Sequence, residues 1–134
     1  MDISFDQAQR MLGAAINKAD NIKVPLCIAI VDRGGHLIAF NRLDDAVIGT
    51  IDFAIRKAKT AAFFGVNTEI MGQVVESAGA SGYGLQSSNE GVLTIGGGVV
   101  LKNKEGQIVG AIGVSGGMVE QDMSVAQAGA QTFQ

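Results

Sequence analysis

A chain of 134 residues with 47% hydrophobic and 17% charged side chains is sized for one domain, residues 1–134, and carries enough apolar surface to exclude a disordered chain. A net charge of −3 excludes sequence-independent nucleic-acid binding, which needs a strong basic field. No apolar run approaches a membrane span, no basic-then-apolar leader is visible, and the single cysteine, Cys27, excludes an internal disulfide or a cysteine zinc site; a cytoplasmic protein with no nucleic-acid or membrane partner is expected.

Ser4 and Gln7 have capping-box spacing, with Ile3 placed to staple onto Ala8. Phe5, Ala8, Leu12, Ala15, Ile16 and Ala19 then recur with helical period and predict a first helix over about Phe5–Asp20, stopped by Pro25. Leu26–Val31 is a continuous apolar strand, Asp32-Arg33-Gly34-Gly35 a turn, and His36–Phe40 the returning strand of a hairpin. A second helix over about Ile48–Phe64 carries a stripe of Ile51, Ala54, Ile55, Ala58, Ala61, Ala62 and Gly65, small enough to lie close on a sheet. Thr68 is placed to cap a short third helix bearing Ile70 and Val74. Ser77–Gly91 reads as a long Gly- and Ser-rich loop. Val92–Ile95 reads as a strand, Gly96-Gly97-Gly98 as a break, Val99–Lys102 and Ile108–Ser115 as strands joined by the Asn103–Gly106 turn, and Val119–Phe133 as a final helix with Glu120 and Asp122 in its first turn. Five strands joined mostly by short turns predict a mainly antiparallel sheet, and the helices must cover it, giving a layered α+β domain.

Five stretches carry a resemblance. Arg42-Leu43-Asp44-Asp45-Ala46, Ala54-Ile55-Arg56-Lys57-Ala58-Lys59-Thr60-Ala61, the glycine run 96–98, Gly110-Ala111-Ile112-Gly113-Val114-Ser115-Gly116-Gly117 and the following Glu120-Gln121-Asp122 resemble the GlcG/HbpS family, which includes the C-terminal domain of PduO-type proteins. The resemblance extends over nearly the whole chain. It implies a profilin-like sheet of five antiparallel strands flanked by helices, assembled into dimers and higher oligomers. It also implies haem or tetrapyrrole binding in some members, and an association with glycolate, diol or glycerol metabolism in others. Some haem-binding members offer a histidine from the first helix, where this chain has Asn17 and Lys18; the glycine run continues into Val99 where many relatives have Leu-Pro.

Several residues are candidates for chemistry, each with a plainer alternative. Gly113–Gly117 matches the G-x-S-x-G nucleophile elbow, but the serine needs a base and the only histidine, His36, precedes it, so a tight turn is the better reading and no catalytic residue is assigned. The same turn, through Ser115 and Gly116, offers N–H groups to a carboxylate or phosphate, unless Glu120 and Asp122 already satisfy the helix end. His36 is a candidate ligand for a metal or haem iron, or a hydrogen-bonded edge residue; Tyr83 is a second candidate for iron, or a loop anchor. Arg42, Lys57 and Lys59 suit an anionic ligand, or form a solvated face with Asp44, Asp45 and Asp52; the second reading is preferred for Lys59, while Arg42 and Lys57 lie within the family motif.

At 100° per residue, Phe53, Thr60, Phe63 and Phe64 fall away from the alanine stripe and need an outside cover, which predicts a self-association surface. A pocket is expected between the second helix, the 77–91 loop and Gly96, Gly97 and Gly98. The reading is a homo-oligomeric accessory protein that binds haem, a related tetrapyrrole, or a small carboxylate or diol-related metabolite. The alternatives are an enzyme of small-metabolite or haem breakdown, using Asp32, Asp44, Glu90 or His36, and a structural or chaperone-like partner of a diol or glycerol enzyme.

Overall fold

A computed structural model of the chain describes residues 2–133. The capping box forms at its start: Gln7 N donates to Ser4 Oγ and Ser4 N donates to Gln7 Oε1, opening α1 (Phe5–Ile22). This helix outruns the expected end by two residues and stops where Lys23 turns left-handed at φ 58°. The hairpin of β1 (Cys27–Asp32) and β2 (Leu37–Arg42) is closed by Asp32, whose Oδ1 accepts from Gly34 N and His36 N, each at 2.9 Å. Turns through Val47–Gly49 delay α2 to Thr50–Phe64. In α3 (Thr68–Ala78) the expected capping role of Thr68 gives way to a tertiary one. Thr68 Oγ1 accepts from Gly98 N at 2.8 Å and Asn67 Oδ1 accepts from Val100 N at 3.0 Å, tying the start of α3 to a strand.

The 77–91 stretch is not one long loop. α3 continues to Ala78, a 3₁₀ turn occupies Gly79–Ser81, and α4 (Gly82–Gln86) follows, leaving only residues 87–91 irregular. The chain then forms β3 (Gly98–Lys102), β4 (Ile108–Ser115) and α5 (Val119–Ala130). The sheet has four strands in the order β2-β1-β4-β3, every neighbouring pair antiparallel. The fifth expected strand, Val92–Ile95, pairs with no other strand. Val92 N donates to Gln86 O at 3.0 Å and Leu93 N to Thr60 Oγ1 at 3.1 Å, so a helix end and a helix side chain take the bonds a ladder would have made.

Helices cover both faces of the sheet, α1 and α5 on one and α2 on the other. β1 and β4 are buried on both faces, and residue size alternates along them. Ile28, Ile30, Ile112 and Val114 point into the core beneath α1 and α5, where each large aliphatic side chain contributes roughly 1.5–3 kcal/mol by leaving water. Cys27, Ala29, Val31 and Ala111 face α2 and meet its Ala54, Ala58, Ala61 and Ala62. Gly113 permits the closest approach. A Cβ there would stand 2.5 Å from Ala58 N and 3.0 Å from Ala58 Cβ, so the α2 backbone rests on the strand itself.

Candidate functional site

The outer side of α2 carries Asp52, Arg56, Lys59 and Phe63 at spacings of four, three and four, which aligns them in one row along the helix. Arg56 Nε and Asp52 Oδ2 form an i,i+4 ion pair at 2.7 Å. The other end of the guanidinium reaches across to the turn after α4, where Nη1 donates to Glu90 O and, at 3.1 Å, to Gly91 O. That turn is left-handed at three successive residues: Asn89 at φ 51°, Glu90 at 61° and Gly91 at 110°. Glycine adopts this conformation freely, whereas Asn89 and Glu90 hold it at a cost of order 1 kcal/mol each. Helix row and turn enclose a cleft of about 360 Å³ lined by Asp52, Ile55, Arg56, Lys59, Phe63, Asn89, Glu90 and Gly91. Phe63 is 43% exposed, and its ring lies against Gly35 of the β1–β2 turn. Lys59 makes no ion pair among the described residues, so its ammonium is available to an incoming anion. An apolar wall with one free and one committed cation suits a flat or aliphatic ligand that bears carboxylates.

Lys57 points the other way. It is 1% exposed, and its Nζ donates to Val114 O at 2.9 Å and to Asp122 Oδ2 at 3.2 Å. The second oxygen of Asp122 accepts from Gly117 N at 2.9 Å. Burial pulls the Lys57 ammonium below its ordinary value, against the opposing pull of Asp122. Burial likewise raises the Asp122 carboxyl, against its bond from Gly117 and the charge of Lys57. Two readings of Lys57 are open in the sequence, a cation for an anionic ligand and a solvated face paired with Asp44, Asp45 or Asp52. The structure gives neither, since its Nζ is buried on Asp122 of α5 and Val114 O and does not line the cleft.

The other expected residues do not converge on this cleft. Gly96, Gly97 and Gly98 are buried, packed against Met123, Lys57 and Thr68, and none lines it. Ser115 is buried, and of the two readings of the turn beyond it, an outside anion or the chain's own carboxylates, the structure shows the second at Gly117, whose N–H donates to Asp122 Oδ1. Ser115 pairs with Cys27 at one end of β1, whereas His36 lies in the turn beyond the other end, so no serine–histidine dyad forms. Arg42 is exposed at the end of β2, beside a shallow hollow shared with Leu43–Ala46, and Tyr83 is 75% exposed on α4. Of the four residues expected on an assembly surface, Phe53, Phe63 and Phe64 are exposed. Thr60 is not: it is 2% exposed, donates to Arg56 O at 2.7 Å and accepts from Leu93 N, because the 92–95 segment lies over it. Arg56, Ile55, Asn89 and Gly91 were missed. Only the Asp52–Arg56 spacing offered a local signal, since the contacts to residues 90 and 91 span more than thirty positions. Among the described residues, no three His, Cys, Asp or Glu side chains gather as a metal site would require.

Comparison with known proteins locates this architecture. Residues 3–131 match the protein-family model described as "Haem degrading protein HbpS-like". An uncharacterised 15.0 kDa protein from the dhaT–dhaS intergenic region of Citrobacter freundii is 37% identical over 131 residues, covering 98% of this chain and 92% of that protein. The corrinoid adenosyltransferase PduO of Citrobacter freundii is 38% identical over 128 residues, covering 95% of this chain; the chain spans only 38% of that longer relative. Among solved structures, the PduOC:haem complex superposes with a TM-score of 0.91 at 35% identity, over 98% of this chain and 95% of that one.

Proposed function

We propose a function on one premise: the chain belongs to the GlcG/HbpS family. On that footing it is a ligand-binding accessory protein whose ligand is haem, a related tetrapyrrole or a smaller carboxylate, held in the α2 cleft. The observation that carries this reading is that Arg56, Lys59 and Phe63 of the α2 row, with Ile55 beside them, face the 89–91 turn: two cations and two apolar side chains in a cleft that Asp52 and Glu90 also line. The haem complex of its PduOC relative supports the porphyrin member of the ligand class.

The lining fits part of a haem better than all of it. Lys59 and Arg56 suit propionate groups, and Ile55 and Phe63 suit the edge of a macrocycle, but the lining contains no imidazole, thiolate, thioether or phenolate for iron. His36 is the nearest candidate in sequence to the site, because it follows Gly35, on which the Phe63 ring packs. When bound, haem would supply its own redox and oxygen chemistry. This chain's residues would hold its carboxylates and pack against one edge of the ring. Exposed Phe53, Phe63 and Phe64 support self-association as part of the same proposal, and a cytoplasmic role linked to diol, glycerol or glycolate metabolism rests on the family resemblance alone.

Haemin titrated into the purified chain, followed through its Soret band, tests the reading. A saturable shift is expected, with affinity reduced about three- to tenfold by Lys59→Ala and further by Phe63→Ser, while Lys104→Ala leaves it unchanged. His36→Ala and Tyr83→Phe identify the iron ligand by which of them alters the shape of the spectrum. Absence of any saturable shift, with no bound mass in native mass spectrometry of chain purified from its own host, overturns the assignment. Sedimentation of a stable monomer at micromolar concentration removes the self-association part.

A further inference from the structure

We infer that Arg56 is a latch: in the ligand-free chain its guanidinium holds the 89–91 turn, and with it the 82–91 segment, against the α2 cleft, and a carboxylate-bearing ligand releases the turn by taking Nη1. The ligand half of this inference rests on the function proposed above; the latch half does not.

The segment has little else to hold it. Between Gly82 and Gly91 only Gly82 is buried, packed on Val75, while Tyr83, Gly84, Gln86, Ser87, Asn89 and Glu90 are exposed. Most of its hydrogen bonds are internal: Ser87 Oγ donates to Tyr83 O, Ser88 Oγ to Leu85 O and Gly91 N to Ser88 O. Its ties to the rest of the domain are Val92 N to Gln86 O, a 3.3 Å side-chain bond from Gln86 to Thr94, and the two bonds from Arg56 Nη1 to Glu90 O and Gly91 O. The Arg56 bonds are the charge-assisted ones, and such bonds are about twice as strong as neutral ones. They also fall on the carbonyls of residues 90 and 91, where three left-handed residues follow one another. A conformation held against its own backbone preference relaxes when its support is withdrawn. A Cβ at Gly91 would collide with Arg56 Nη1, so the guanidinium is packed directly onto the turn.

The position of the latch makes it a switch. Arg56 lines the cleft together with Lys59 and Phe63. A carboxylate drawn in by Lys59 meets a guanidinium whose Nη1 is spent on neutral carbonyls and whose Nη2 carries no hydrogen bond among the described residues. The paired grip across both Nη atoms that a carboxylate favours requires Nη1 to leave the turn, and an anionic acceptor outcompetes a neutral one for it.

Hydrogen–deuterium exchange on the full chain tests both halves. Without ligand, Arg56→Ala is expected to raise exchange of the Gly91 and Val92 amides about tenfold or more, with β1 and β4 amides unchanged, and Arg56→Lys to fall between wild type and Arg56→Ala. Unchanged exchange at 91–92 in Arg56→Ala overturns the latch; if that variant unfolds, shown by β1 and β4 exchanging too, Arg56→Lys decides alone. Adding haemin to the wild-type chain is expected to raise exchange at 91–92, and haemin dimethyl ester, which lacks free carboxylates, is expected not to. Protection of 91–92 by bound haemin overturns the competition. A haemin that does not bind sinks the functional proposal and the ligand half with it, while the ligand-free comparison still decides whether Arg56 is a latch.

Discussion

The two sides of α2 are built on opposite terms. The inner side puts Ala54, Ala58 and Ala61, each fully buried, onto Ala29, Ala111 and the bare Gly113, and it seals a lysine–aspartate pair behind them. The outer side spreads Asp52, Arg56, Lys59 and Phe63 over a cleft closed by a strained turn. Inside, every atom has one place, because backbone lies on backbone. Outside, the groups are exposed and partnered through long, flexible side chains. Stability should therefore reside in the inner side and ligand response in the outer, and substitutions on the two sides should separate the two properties.

The largest effect is expected at the buried pair. Lys57→Met leaves the Asp122 carboxylate buried without its cation, which costs about 3–5 kcal/mol in urea or thermal unfolding. The pH dependence carries a sign. With Lys57 gone, burial holds the Asp122 carboxyl above its unfolded-state value, so the folded state binds a proton that the unfolded chain does not. The variant should then regain stability as pH falls through that raised value toward about 4, where the unfolded carboxyl also protonates. A Lys57→Met protein whose stability declines steadily from pH 7 to 4 would show that Asp122 had found water.

Next comes Gly113→Ala, which forces a methyl group against the Ala54 and Ala58 backbone and is expected to cost about 1–3 kcal/mol. Phe63→Ser should cost about 1 kcal/mol or less, since the ring is already 43% exposed, yet it should weaken haemin binding measurably. Lys59→Ala should move stability by less than about 0.5 kcal/mol and act on ligand affinity alone. If Phe63→Ser proved as damaging to stability as Gly113→Ala, the outer side would belong to the core and the contrast would fail.

What could be read from residues alone follows the range of the interaction. The capping box of Ser4 and Gln7 and the Asp32 turn are made by neighbours in sequence, and both form as spaced. The alanine stripe also predicted its packing, because small side chains on a helix leave a sheet little choice. Val92–Ile95 misled because a strand needs a partner, and its amides found Gln86 and Thr60 instead. Thr60 misled for the complementary reason, since its cover comes from that displaced segment. The candidate site was the least legible part. Lys57 meets Asp122, and Arg56 meets residues 90 and 91, only after the chain has folded back on itself, and no local pattern marks either. The glycines 96–98 signalled close approach, and the structure shows it within the chain, to Lys57, Thr68 and Val114.

The strand order also sets a timetable. β1 and β4 lie side by side at the centre of the sheet, pairing residue 27 with residue 115 and residue 32 with residue 110. Both hairpins can close early, being local, but the central seam must wait until β4 has followed β1 out of the ribosome. Until then β1, an almost uninterrupted greasy ribbon in the finished protein, stands with one edge bare. Slow synthesis between the two hairpins would prolong that exposure, and a chain cut short before Ile108 would never end it.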